Sequence, residues 1–385
     1  MKNTITDLLS DESLRRHEFP TVKDSIFMAH AGVTALPRCA VDAIKEMADF
    51  GGGGNQEMGR LWQILATARK TAAELVDAHP DEIALLGPTS VGLSLVANGI
   101  DWNAGDEIIC YQDDYPANVY PWANCQRKGV VVKRLQTKIL GLISVADIEA
   151  LVTPKTRLVS LASCNYLSGV RLPVDEIGAF LKSRGILFCL DSIQTLGAVP
   201  TSTKYVDFLS ADSHKWLLGP MAAGIVWIRK EHFPLVHPTL IGAWNVVSPN
   251  FIAQEQVVFE ETARRYEPGA MNLLGIVGMQ AAMKMLLDTG IDSIYDRILR
   301  LRHLFASRLG AKGYQIVAGE APDHLSTGIL SVTHPSKDLK ALGKTLEENK
   351  IYVSARNLRD GTPLIRFSPH YYNTEEEVEK VLVFF

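Results

Sequence analysis

The stretch "LSADSHKWLLGPMAAG", residues 209–224, sets Lys215 between His214 and Trp216, with an apolar run leading in and a Gly-Pro turn leading out. A lysine in a buried turn loses hydration that only a dedicated partner or a covalent bond can replace. Both flanks read as strands, "DFLSAD" (207–212) and "AAGIVWI" (222–228). Further N-terminal lie "EIALLG" (82–87), "EIICYQ" (107–112), "VVVKRL" (130–135), "TRLVSLAS" (156–163) and "GILFCLD" (185–191). Helical stretches such as "SVGLSLVANGI", "SVADIEALV" and "VDEIGAFLKSRG" separate them. Alternation of this kind marks βαβ crossovers and a mainly parallel sheet. Several strands are apolar on both faces, as a sheet covered by helices on both sides requires.

At 385 residues the chain is long enough for a large domain with a smaller companion. The sequence predicts a large α/β domain over 20–265. After "NLLGIVGMQAAMKMLLDTG" (272–290) and the basic helix "IDSIYDRILRLRHLFASRLGAKG", two or three further strands and two helices are expected. These form a small α+β domain, 266–385 with a connecting helix, which residues 1–19 join. "GGGG" at 51–54 reads as a surface loop, because no strand feeds into it and no GKT/S follows.

Charge is nearly balanced, with 39 Lys+Arg against 43 Asp+Glu and a net charge of −4, which predicts no nucleic-acid or membrane partner. The N-terminus lacks a signal-type apolar core and no segment stays apolar for a membrane span, so a cytoplasmic protein is expected. Five scattered cysteines without a CxxC pair fit a reducing compartment, and the ten histidines show no HxxxH or HExxH spacing, so no metal site is expected.

In a doubly wound sheet, ligands bind beyond the C-terminal ends of the strands. After 82–87, "GPTSVG" delivers Thr89 and Ser90 to a helix start, where hydroxyls, free N–H groups and the helix dipole favour phosphate. On this stretch alone, plain helix capping is the better explanation. After 107–112, "DDYPANVYPW" places Tyr115 beside the same cleft, as a ring to lie on a flat cofactor or as an ordinary turn aromatic. After 156–163 come Cys164 and Asn165. Asp191 ends a buried apolar strand and needs a partner there. Together these pieces describe a cofactor with an anionic tail, a planar ring, a ring nitrogen that takes a negative partner and an aldehyde that takes a lysine. Pyridoxal 5′-phosphate has all four: Lys215 for a Schiff base, Asp191 for the pyridine nitrogen, and the 89–90 turn for the phosphate.

Seven blocks, in order, carry a resemblance to a known family: "GPTSVGLSLVANGI", "GDEIICYQDDYPANVYPW", "LVSLASCNYLSGVRLPV", "LDSIQTLGAVP", "SADSHKWLLGP", "YEPGAMNLLGI" and "IRFSPHYYNTEEEV". Over nearly its whole length the chain resembles the class V aminotransferases of fold-type I pyridoxal phosphate enzymes, in the branch of cysteine desulfurases, selenocysteine lyases, kynureninase and isopenicillin N epimerase. The resemblance implies a seven-stranded, mainly parallel sheet and a homodimer with the active site at its interface. It makes Lys215 the Schiff-base lysine and proton shuttle, Asp191 the pyridinium partner, and Asn165 and Gln194 neighbours of the ring hydroxyl. Thr89 and His214 become phosphate contacts, Tyr115 the ring-stacking residue, and Arg366 the clamp on the substrate α-carboxylate.

The chain departs from these relatives in three places. Desulfurases carry a cysteine on a mobile loop before the clamping arginine, and "VSARNLRDGTPLIR" (353–366) has none. Asp212 stands where relatives often place a serine or threonine near the phosphate, and Ala270 replaces a threonine often offered by the neighbouring subunit. Persulfide chemistry needs a thiolate, so the expected reaction is lyase-type β-elimination from a cysteine-like or selenocysteine-like amino acid. Transamination and epimerisation are the alternatives, and a protein that binds the cofactor without catalysis ranks below them.

Overall fold

The computed structural model describes residues 4–54 and 57–385. Seven strands form one sheet in the spatial order Ile83–Ala84, Gly224–Ile228, Phe208–Asp212, Leu187–Asp191, Thr156–Ala162, Glu107–Tyr111 and Val131–Leu135. The last five run parallel, and Gly224–Ile228 is antiparallel to both neighbours. Alternate residues of one strand enter different cores: Ile109 and Tyr111 join the apolar cluster on one face, Ile108 and Cys110 the cluster on the other. That two-sided burial is the physical reason these strands read as continuous apolar runs.

Downstream, a four-stranded antiparallel sheet has the order Ser354–Asn357, Pro363–Phe367, Leu330–Thr333 and Gln315–Ile316. Ile351–Tyr352 pairs in parallel with Ile26–Phe27, which ties the chain's beginning to this layer. Five short strands are thus found after residue 266 where two or three were expected. Two of them are only two residues long, too short for an alternation signal. Helices Ile291–Ala311, Leu339–Glu348 and Glu375–Leu382 bury Phe305, Leu346 and Val378 against this sheet.

The helix Leu273–Thr289 packs on Arg38–Gly52 and Met58–Leu75 beside the large sheet. Gly290, at φ 90°, then turns the chain into Ile291–Ala311. The N-terminal segment docks through Arg15, which pairs with Glu377 at 2.7 Å, and through Phe19, stacked on Tyr372 at 4.0 Å. Residues 1–3 lie outside the described residues. The "GGGG" run is less of a loop than expected, since Gly51 and Gly52 complete the helix Arg38–Gly52. No helix among the described residues is long and apolar enough to cross a membrane.

Candidate active site

The parallel strands all end at one edge of the sheet, and the segments that leave them there carry the residues singled out above. Asp212 ends its strand, and a tight turn follows: Gly219 N–H donates to Ser213 O at 2.8 Å and Leu218 N–H to Lys215 O at 3.1 Å. Trp216 fixes the base of this turn, because its indole N–H donates to Gln194 Oε1 at 3.0 Å and its carbonyl meets His370 Nε2 at 3.1 Å. Lys215 is 7 % exposed, yet among the described residues its ammonium takes no hydrogen bond or ion pair. Burial pulls its pKa down to about 8 against the opposing pull of Asp191, so a neutral, nucleophilic amine is within reach near neutral pH.

Asp191 lies between Ala162 and Ser210 in the sheet register and is 2 % exposed. One carboxylate oxygen accepts from Ile193 N–H at 3.1 Å, and no donor among the described residues takes the other. Burial raises its pKa to about 6, with the Ile193 bond and Lys215 opposing. A buried carboxylate with an open oxygen suits a protonated nitrogen brought in by a ligand.

The corner beneath helix Thr89–Gly99 is built by close approach. A Cβ on Gly87 would come within 2.6 Å of Asp212 Oδ1 and 2.8 Å of Gly224 N, so only glycine lets this turn rest on the strand ends. Thr89 is buried and its hydroxyl accepts from Asp212 N–H at 2.9 Å, while Ser90 is exposed at the second helical position. Asp212, which stands where relatives often place a serine or threonine, is paired with His214 Nδ1 and accepts from Ala222 N–H at 3.1 Å.

Tyr115 is half exposed, and its ring centroid lies 5.2 Å from Lys215 Nζ. Asn165 is spent largely on its own turn: its oxygen accepts from Leu167 N–H and Ser168 N–H, and its amide donates to Asp113 O. Gln194 likewise bridges Trp216 and the Ala31 carbonyl. Arg366, 1 % exposed on strand Pro363–Phe367, donates to Tyr166 O at 2.8 Å and to Ser354 Oγ at 3.3 Å, while its Nε stays buried and unpartnered. Burial, then the neighbouring Arg356, lowers its pKa to about 10.

Asp114 escaped the sequence reading, although the "DDYP" doublet after a buried strand was its signal. It is buried, and burial together with Asp191 raises its pKa to about 7. Its oxygens accept from Tyr115 N–H, Asn118 Nδ2 and Ala162 N–H, so it fixes the loop that carries Tyr115. Burial pushes the Cys39 and Cys110 thiols up to about 11 and raises that of Cys125. Cys164 and Cys189 are 0 % and 1 % exposed, and burial pushes the Cys164 thiol up to about 12. The 353–366 segment is tethered to the Tyr115 loop through Arg359, which pairs with Asp113 and the Gln112 carbonyl.

A buried amine without a partner, a buried carboxylate with an open oxygen, a ring above the amine and a glycine-floored helix start together fit pyridoxal 5′-phosphate (PLP). Fold and site define a PLP-dependent enzyme of fold type I. The chain belongs to the class-V aminotransferase family, whose model matches residues 26–381. A probable cysteine desulfurase of Methanothermobacter thermautotrophicus is 26% identical over 94% of this chain and 94% of its own length. The cysteine desulfurase of Thermococcus onnurineus NA1 shares the fold, with a TM-score of 0.88 at 23% identity over 96% of this chain and 95% of that one. The cystine C–S lyase C-DES, solved with its reaction product cysteine persulfide, has a TM-score of 0.86 at 25% identity over 95% of this chain and 98% of that chain. A lysine-to-alanine mutant of C-DES, with glycine covalently linked to the PLP cofactor, has a TM-score of 0.87 at 25% identity over 96% and 98%.

Proposed function

We propose that this enzyme acts on an α-amino acid by lyase-type β-elimination from a cysteine-like or selenocysteine-like substrate, with no persulfide on the protein itself. The observation that carries this reading is the buried amine of Lys215, which among the described residues takes no hydrogen bond or ion pair, in a site whose arginine-bearing segment, 353–366, holds no thiol. When bound, PLP supplies an electron-withdrawing ring that disperses the negative charge left at Cα on proton loss.

The chain's own residues provide the rest. Lys215 is the point of covalent attachment and the base that takes the Cα proton, a task matched by its lowered pKa. Asp191 keeps the ring nitrogen protonated through its open oxygen. Arg366 binds the substrate α-carboxylate with the donor capacity left after Tyr166 and Ser354, while Ser90, Asn165 and Gln194 border the cofactor rather than react. Similarity to C-DES, a cystine C–S lyase, supports elimination.

Products separate the readings. Elimination releases pyruvate and ammonia together with sulfide from cysteine, selenide from selenocysteine or cysteine persulfide from cystine; desulfuration with transfer to a protein thiol leaves alanine, and transamination leaves a keto acid without ammonia. The purified enzyme with cysteine, cystine and selenocysteine is expected to yield pyruvate and ammonia in equal amounts; alanine as the sole carbon product would overturn the proposal. A dimer belongs to the same reading. Leu240, Ile241, Phe251, Ile252 and Val257 are all exposed within one irregular segment, apolar surface that a second copy of the chain would cover. Sedimentation is expected to show a dimer, and a stable, active monomer would contradict it.

A further inference from the structure

The Lys215 ammonium takes no partner among the described residues, yet the backbone on either side of it is tied down. The His214 carbonyl accepts from Thr34 N–H at 2.8 Å, and the Trp216 carbonyl meets His370 Nε2 at 3.1 Å. Both donors come from outside the large sheet. Thr34 lies near the chain's beginning, and His370 follows the strand Pro363–Phe367 that carries Arg366. The same two segments hold each other: His30 N–H donates to Ser368 O at 3.2 Å, and a Cβ on Gly32 would stand 3.7 Å from Arg366 Nη2. Lys215 and Arg366 are thus joined through one hydrogen-bonded unit.

The proton on His370 follows from its neighbours. Nδ1 accepts from Tyr371 N–H at 2.9 Å, so the hydrogen of a neutral ring sits on Nε2 and points at the Trp216 carbonyl, which can only accept. His30 beside it, with ring centroids 5.2 Å apart, is fixed the same way: Nδ1 donates to Ser368 O and Nε2 accepts from the Tyr372 hydroxyl, both at 2.9 Å. Both rings are fully buried, and burial holds His370 well below its ordinary pKa and His30 down to about 4. A neutral imidazole with both nitrogens spent moves no proton of its own. What it contributes is alignment.

We propose that His370 is a positioning residue for Lys215: by holding the Trp216 carbonyl from the segment that continues the Arg366 strand, it sets the amine at the right distance from a carbon whose carboxylate Arg366 holds. This rests on the roles of Lys215 and Arg366 given under the proposed function. Base and clamp belong to different parts of the chain, and His370 is where their separation is fixed.

The test follows Cα proton removal itself, as deuterium exchange at Cα of L-alanine, which has no β leaving group, by the PLP-loaded enzyme in D2O. His370→Leu, which keeps bulk and loses both nitrogens, is expected to lower the exchange rate at saturation about 10²-fold, the scale of a misplacement of about 1 Å, with KM little changed. His370→Gln, whose amide N–H replaces the lost donor, is expected to recover most of that rate. A wild-type rate in His370→Leu, equal losses in both variants, or a loss that lies in KM would overturn the proposal. Should His370→Leu fold poorly, His370→Asn, whose amide is shorter, takes its place against His370→Gln with the same outcomes. The imidazole 15N resonances of His370 in the wild type give a readout independent of activity: Nε2 protonated and Nδ1 bare is expected, and the opposite tautomer would overturn the proposal. If the wild type exchanges no Cα proton, the reading of Lys215 fails and the role of His370 falls with it. If it exchanges while the two variants behave alike, only the role of His370 fails.

Discussion

Buried charge is handled in opposite ways in two regions of this molecule. In the scaffold, Arg69 pairs with Glu267, whose other oxygen accepts from Leu85 N–H at 2.7 Å, and Arg15 lies between Glu12 and Glu377. Arg297 is held by Glu375 and the Asn373 carbonyl. At the sheet's C-terminal edge, among the described residues, the Lys215 ammonium takes no hydrogen bond or ion pair, one Asp191 oxygen has no donor, and Arg366 donates to Tyr166 O and Ser354 Oγ but meets no carboxylate. A fold under no other constraint would pair or remove such groups, because each lost solvation without full compensation. On the function proposed above, the difference separates charges that hold the fold from charges left for a ligand.

Lys215→Met is expected to abolish turnover while leaving the apo protein as stable as the wild type or more so at pH 7, by thermal denaturation; a loss of stability like that of a scaffold charge would erase the distinction. Asp191→Asn is expected to lower kcat by about 10²- to 10³-fold, the scale of removing one preorganised electrostatic contact, with the melting temperature little changed. Arg69→Ala should do the reverse, costing about 3–5 kcal/mol because it strands the Glu267 carboxylate, with KM preserved in the protein that remains folded. Arg366→Lys, which keeps the charge but loses the planar two-donor geometry, should raise KM by about tenfold or more and leave kcat less affected.

The smallest effect concerns pH. The folded-state pKa of Lys215 is lowered from 10.5 to about 8, so between these values the unfolded chain binds more protons than the folded one. Apo stability then carries a cost that is full below pH 8 and is relieved as pH rises toward 10.5. The slope difference between wild type and Lys215→Met, measured by denaturant titration at several pH values, should show this contribution. Equal slopes would mean that Lys215 is not held in a desolvated site.

The large sheet was legible because most of its strands are buried on both faces and therefore appear as apolar runs, the edge strand Val131–Leu135 excepted, and Asp191 and Lys215 stood out as charges that such runs do not tolerate. Ile83–Ala84, Gln315–Ile316 and Ile351–Tyr352 carry only two residues each. The first was still found through its neighbours, but the other two are set by pairing across the fold, which no local pattern records. Asp114 was missed for a related reason. Its role comes from backbone N–H groups at positions 115 and 162 and from the nearness of Asp191, contacts that only the assembled sheet creates. Asp212 was visible as an anomaly in sequence, but its bond to His214 needed the turn geometry to be seen.

The central claim is that the unpaired amine of Lys215 is the cofactor's attachment point. Borohydride reduction of the purified enzyme, followed by peptide mapping, tests it most directly. A phosphopyridoxyl group is expected on the peptide containing Lys215 and none in Lys215→Ala. The same adduct on another lysine, or retained in Lys215→Ala, would contradict it.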